Sequence, residues 1–201
     1  MNLTEKATIL HYHRSRMNEN PGTFTALGYR SGESQTKRFE ALTSSFDLNG
    51  SSILDLGCGH GDLKGFLDAR FHGFGYIGID MVAEFVLQAR TNYGNRPSCY
   101  FCVADAETAQ LPGADYVFAS GILGYRASDP GHYFSMIEKM YGTAEKALAF
   151  NMLDREVFPD HPLLVGHDML EVKEFCESIS KNVRLVRGYL EDDFTMVLQR
   201  D

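Results

Sequence analysis

Residues 53–63 read ILDLGCGHGDL, an apolar run that breaks into Gly57, Gly59 and Gly61 and then into the amphipathic stretch DLKGFLDARF. Each part of that order has a physical consequence. Without a Cβ, glycine lets a strand turn sharply into a helix and lets the backbone reach contact distance with a ligand. The helix that follows aims its free N–H groups and partial positive end at the same spot. The stretch predicts a strand–turn–helix unit with a nucleotide-type cofactor over the turn. A tight turn with no ligand is the plainer reading of the glycines alone.

Outward from this unit, short apolar runs alternate with longer amphipathic ones, the pattern of βα units and a parallel sheet. Strands are expected near 52–57, 76–80, 99–105, 115–120 and 147–153, and helices over 62–71, 81–93 and 132–146. Strands this apolar leave no wet face, so helices should cover both sides of the sheet. A further helix is expected from about 168. It is followed by VRLVRGYL and DFTMVLQR, separated only by Glu191 and Asp192. So short a connection makes an antiparallel hairpin at one edge. Two helices, about 4–18 and 33–46, precede the first strand. With no repeat and no dividing linker, the expectation is a single domain, 1–201. Within it, residues 1–48 form a helical lid and substrate segment, and 49–201 the cofactor-binding sheet.

Composition narrows the function. A chain of 201 residues with 44% hydrophobic and 23% charged side chains can bury one large core. Nineteen basic against 27 acidic residues give a net charge of −8, which argues against coating a nucleic acid. Residues 1–40 carry six Lys/Arg and four Asp/Glu, so that segment is net +2 and the remainder −10. No apolar signal region opens the chain, and nothing approaches a membrane span, so a cytoplasmic protein without a membrane partner is expected. The Cys99-Tyr-Phe-Cys102 pair lies in an expected strand, where residues three apart face opposite sides, and no second pair completes a ligand set. Both cysteines are expected in the core. His11 and His13 do not share a helix face, and His161 and His167 show no ligand spacing, so no metal is expected.

Two acids close the next two strands: Asp80, 21 residues after Gly59, and Asp105, 25 residues further on. Ligands of open parallel sheets sit outside the carboxyl ends of the strands, near the point where strand order reverses. A carboxylate at the second end can accept from both ribose hydroxyls, and one at the third from an exocyclic adenine amine. Either acid would also serve as a helix N-cap. A dinucleotide fingerprint would place glycine where Asp62 stands. Moreover, Asp55, two residues before Gly57, would repel a pyrophosphate and hold an ammonium.

The pattern Asp55-x-Gly57-x-Gly59, followed by strand-end Asp80 and Asp105, resembles the class I S-adenosylmethionine-dependent methyltransferases. The resemblance runs from about Glu33 to Asp201. It implies a Rossmann-like α/β fold with a seven-stranded, mostly parallel sheet of order 3-2-1-4-5-7-6, strand 7 antiparallel and helices on both faces. It also implies S-adenosylmethionine as cofactor. Carried over, Asp55 would lie beside the methionine ammonium, and the backbone of Gly57, Cys58 and Gly59 would line the aminocarboxypropyl chain. Asp80 would hold the ribose, Met81 would cover an adenine face, and Asp105 with Ala106 would meet the adenine edge. Ser120 and Gly121 would face the sulfonium. Arg38 is the candidate for the cofactor carboxylate, because arginine makes bidentate carboxylate pairs.

At the fourth strand end the sequence reads Ala119-Ser-Gly-Ile-Leu-Gly-Tyr125. The Asn/Asp-Pro-Pro-Tyr pattern of the family's nucleic-acid and glutamine-methylating branches is missing, so a small-molecule acceptor is expected. Tyr12, His13 and Tyr125 are the catalytic candidates, and Tyr29, Arg126 and Asn151 the substrate candidates. Two rival readings stand beside methyl transfer. One is a catalytically silent S-adenosylmethionine-binding module acting through a protein partner; the other is a nicotinamide oxidoreductase.

Overall fold

In the computed structural model, which describes all 201 residues, the chain runs α1 (Leu3–Glu19), α2 (Gly32–Thr43), β1 (Ser52–Leu56), α3 (Asp62–Asp68), β2 (Gly75–Asp80), α4 (Ala83–Tyr93) and β3 (Cys99–Val103). It continues with β4 (Ala114–Ala119), α5 (His132–Thr143), β5 (Ala144–Leu153), α6 (Met169–Ile179), β6 (Asn182–Arg187) and β7 (Asp193–Gln199). The strands make one sheet in the order β3-β2-β1-β4-β5-β7-β6. Strands β1 to β5 pair in parallel, and β7 runs antiparallel to both β5 and β6. The terminal hairpin therefore forms as expected, with β7 inserted beside β5 and β6 at the rim.

Register decides where the site lies. Leu56 of β1 pairs with Ile79 of β2 on one side and with Ala119 of β4 on the other. Strand order reverses between β1 and β4, so Gly57, Asp80 and Ser120 emerge together at the switch point of the sheet.

Apolar side chains fill both faces. Leu54, Leu56, Val117, Leu148 and Phe150 point to the side covered by α5 and α6 through Ile137, Met140, Val172 and Cys176. Ile53, Tyr76, Phe101 and Phe118 point to the other, covered by Phe39 and Leu42 of α2, Leu63 and Leu67 of α3, and Val86 and Ala89 of α4. Helix α1 is different. Asn2 and Glu5 form a capping box at its start, yet only Ile9 and His13 along its length are buried.

Three details depart from the sequence reading. The expected helix 132–146 ends at Thr143, and Ala144, Glu145 and Lys146 open β5. All three are good helix formers, but pairing of Ala144 with Ala114 of β4 outweighs that weak preference. The expected helix 62–71 stops at Asp68. Strand β3 is also not covered on both faces: Cys99 and Phe101 are buried, while Cys102 and Val103 are exposed and Tyr100 is 64% exposed. It is an edge strand, and its inward alternation serves only the α4 side, so Cys102 is a surface residue and not a core one.

Candidate active site

The turn after β1 is closed by three glycines in the left-handed region, Gly57 at φ 74°, Gly59 at 53° and Gly61 at 79°. Space demands glycine as well as conformation. A Cβ on Gly57 would lie 2.0 Å from Ile122 Cγ2, and one on Gly59 2.7 Å from Leu27 Cδ2. The Gly57 and Cys58 N–H groups both donate to the Ile79 carbonyl, at 2.8 and 3.1 Å, which ties the turn to the end of β2.

Asp80 completes that tie. Its Oδ2 accepts from the Gly59 N–H at 2.9 Å and its Oδ1 from the Val82 N–H at 2.8 Å. It caps no helix in the ordinary sense, since the N-cap of α4 is Val82. Burial pushes its carboxyl up to about 6 against the pull of those N–H donors. Asp55 is buried behind the turn and accepts from the Tyr76 hydroxyl. Burial pushes it up to about 7, with Asp80 and Asp62 adding to the rise and the Tyr76 bond opposing it. Asp105 is half-buried at the end of β3. Its Oδ1 accepts from the Glu107 N–H at 2.9 Å, and its Oδ2 from Lys6 Nζ of α1 at 2.6 Å. Burial alone would raise Asp105, but these donors outweigh it and hold the carboxyl below its ordinary value. Lys6 Nζ also bridges to Glu107 at 2.6 Å.

Beyond β4 the site changes character. Gly121, at φ 81°, donates its N–H to Asn151 Oδ1 at 2.8 Å, and a Cβ there would meet nothing within 4 Å. Tyr29 Oη lies 3.0 Å from Ser120 Oγ, with the Arg38 guanidinium over the Tyr29 ring at 5.3 Å. Arg38 Nε and Nη2 both donate to Asp193 Oδ2, at 2.8 and 2.5 Å. The Arg30–Asp192 pair lies beside them at 2.5 Å. His13 of α1 meets the Tyr125 hydroxyl through Nε2 and the Ala26 carbonyl through Nδ1, and Tyr12 packs edge-on against the His13 ring.

All these groups line one cavity of about 260 Å³ under α1 and the loop that follows it. It gathers Tyr12, His13, Tyr29, Arg38, Asp55, Gly57, Cys58, Gly59, Asp80, Met81, Asp105, Ala106, Ser120, Gly121, Tyr125 and Asn151. Arg126 is the sequence candidate left outside. Its side chain turns to the surface, where Nη2 donates to Asp160 Oδ1 at 3.0 Å and to the His161 carbonyl at 2.9 Å, holding the 154–168 loop. Sequence reasoning missed Lys6, Asp192 and Asp193. Adjacent acids in a two-stranded turn carried no signal until the fold brought arginines against them.

A family model described as a methyltransferase domain matches residues 53–143. The candidate methyltransferase Rv1506c of Mycobacterium tuberculosis (strain ATCC 25618 / H37Rv) is 30% identical over 160 residues, which cover 74% of this chain and 93% of that protein. The chain belongs to the class I S-adenosylmethionine-dependent methyltransferases. A trans-aconitate 2-methyltransferase from Paracidovorax citrulli (strain AAC00-1) is 30% identical over 142 residues, covering 68% of this chain and about half, 52%, of that enzyme. In fold, the chain is similar to the magnesium protoporphyrin IX methyltransferase of Synechocystis PCC 6803 with bound S-adenosylmethionine. The TM-score is 0.72 at 17% identity, with 100% of this chain and 99% of that one covered.

The chain is thus a methyltransferase with S-adenosylmethionine as cofactor, and the residues present fit that group. Side-chain-free backbone at Gly57 and Gly59 leaves room at the turn, buried carboxylates stand at the ends of β1 and β2, and Gly121 opens toward the far end of the cavity. No helix of the chain is long and apolar enough to cross a membrane.

Proposed function

We propose that this methyltransferase acts on a small-molecule acceptor in the cytoplasm. The observation that carries the reading is the single roofed cavity, which joins the glycine turn to Tyr29, Tyr125 and Asn151 beneath α1. A cavity of about 260 Å³ roofed by a helix suits small molecules better than a macromolecule.

In this reading Asp80 holds the ribose hydroxyls with the lone pairs that Gly59 and Val82 leave free. Met81 covers one adenine face, while Asp105 and the Ala106 backbone meet the adenine edge, with Lys6 keeping Asp105 ionised. Gly57, Cys58 and Gly59 line the aminocarboxypropyl chain, Asp55 stands by its ammonium, and Arg38 offers its remaining Nη1 to the carboxylate. When bound, S-adenosylmethionine supplies an electrophilic methyl on a sulfonium, so transfer is an in-line displacement. Ser120 and Gly121 flank that centre, and Tyr12, His13, Tyr29, Tyr125 and Asn151 orient the acceptor. Such positioning is worth up to roughly 7–11 kcal/mol of barrier.

Calorimetric titration with S-adenosylmethionine, its demethylated product and NAD, followed by turnover on a metabolite panel, tests the reading. Sulfonium binding with methylation of a small acceptor is expected. Binding without turnover on any compound would favour the silent module, and NAD binding with no response to the sulfonium would overturn the assignment of residues.

A further inference from the structure

The hydrogen bonds around Tyr125 have a direction, and the direction selects an acceptor. His13 is buried in the middle of α1, and its Nδ1 lies 3.1 Å from the Ala26 carbonyl. A carbonyl only accepts, so Nδ1 carries the ring hydrogen. Burial holds the imidazole down at about 4, with Arg16 of its own helix and His60 of the glycine turn lowering it further, so the ring is neutral near pH 7. Nε2 is then a bare lone pair, and the Tyr125 hydroxyl must donate to it. Tyr125 has one hydrogen to give. Once that hydrogen is committed to His13, the phenol oxygen offers the cavity nothing but lone pairs, and burial keeps the phenol from ionising.

The cations nearby are matched. Arg38 is paired with Asp193 and Arg30 with Asp192. Apart from Asn151, whose buried Nδ2 has no partner within the chain, the rest of that end is apolar, formed by Met152, Leu153, Phe158, Leu164 and Leu190. A carboxylate acceptor would find no unpaired cation there and would lose its hydration without compensation, and an ammonium has no lone pair with which to take a methyl. We infer that the acceptor is an uncharged hydroxyl compound with an apolar body, and that the Tyr125 oxygen, polarised by His13, receives its O–H hydrogen bond and determines the specificity. This rests on the proposed small-molecule reading. In the reaction, the acceptor oxygen forms the bond to the methyl carbon while the C–S bond breaks with its electron pair going to sulfur. The hydroxyl proton passes to Tyr125 Oη as the Tyr125 proton passes to His13 Nε2. The positive charge lost at sulfur thus reappears on the imidazolium, which returns its proton to solvent on product release.

The test uses the full chain loaded with S-adenosylhomocysteine and titrated with phenol, benzoate and benzylamine. Phenol is expected to bind about tenfold tighter than either charged probe, and Tyr125→Phe to abolish that preference. Nitrogen NMR of the unmutated protein should show a neutral His13 protonated on Nδ1, a readout that needs no variant to fold. Equal or tighter binding of benzoate or benzylamine, no binding by phenol, unchanged phenol affinity in Tyr125→Phe, or a proton on Nε2 would each overturn the inference. Failure of S-adenosylhomocysteine itself to bind would instead strike the cofactor-site assignments beneath it.

Discussion

The sheet and helix α1 are held by different physics. Both faces of the sheet are sealed by apolar side chains, among them Leu54, Phe118, Phe150 and Leu198, none of which retains solvent exposure. Helix α1 buries little beyond Ile9 and His13 and is pinned through polar groups: Lys6 to Asp105 and Glu107, Arg14 to Glu84, His13 to Tyr125, and Glu5 to the Ser128 N–H. Apolar burial is strong and indifferent to direction, whereas exposed or half-exposed ion pairs contribute little and depend on salt. The glycine turn and the helix that roofs the cavity are thus held separately. The turn, Asp55 and Asp80 belong to the rigid layer, while Lys6 and His13 reach the site from the loosely attached one.

The largest expected effect is on the sheet. Phe118→Ala should cost ~3–5 kcal/mol of stability through lost burial and a cavity, read as a lower urea midpoint with unchanged slope; a change under ~1 kcal/mol would break the contrast. Asp80→Ala comes next and should act on binding. Loss of a buried acceptor of two backbone donors and of the ribose hydroxyls should weaken S-adenosylmethionine binding at least about tenfold by calorimetry. An unchanged affinity would remove Asp80 from the site.

A smaller effect is electrostatic. Folding raises Asp55 from 3.8 to about 7, so between those values the folded chain keeps a proton that the unfolded chain has released. The stability this proton confers is fully present below about pH 4 and is lost as pH rises through about 7. A cation placed beside the carboxylate lowers it again, so cofactor binding near pH 6 should release protons. Binding enthalpies should then differ between buffers of different ionisation enthalpy, and Asp55→Asn should reduce that difference. The smallest effect on stability belongs to Lys6→Ala. Unfolding should shift by no more than ~1 kcal/mol, while amide hydrogen exchange across α1 accelerates and sensitivity to salt falls. A large global destabilisation would mean that α1 belongs with the sheet after all.

Much of the sheet was legible because its signals are local. Glycine at three left-handed positions, an acid two residues before the first, and an acid at the end of each following strand are short-range constraints that a linear reading detects. The errors also have local causes. Ala144, Glu145 and Lys146 were read as helix because their propensity is helical, and Arg126 was read into the pocket because Tyr125 beside it does enter. In the structure Arg126 turns outward to Asp160, and neighbours along an extended segment point to opposite sides.

The βα alternation, the glycine turn and the strand-end carboxylates can all be read along the chain. Each depends on backbone conformation and side-chain spacing within a few residues. Folding is what brings Lys6 to Asp105 across 99 residues, sets Arg30 and Arg38 against Asp192 and Asp193, and places His13 at the Tyr125 hydroxyl. Hydrogen-bond direction and charge balance belong to pairs of groups brought together in space, and no single residue carries them along the chain.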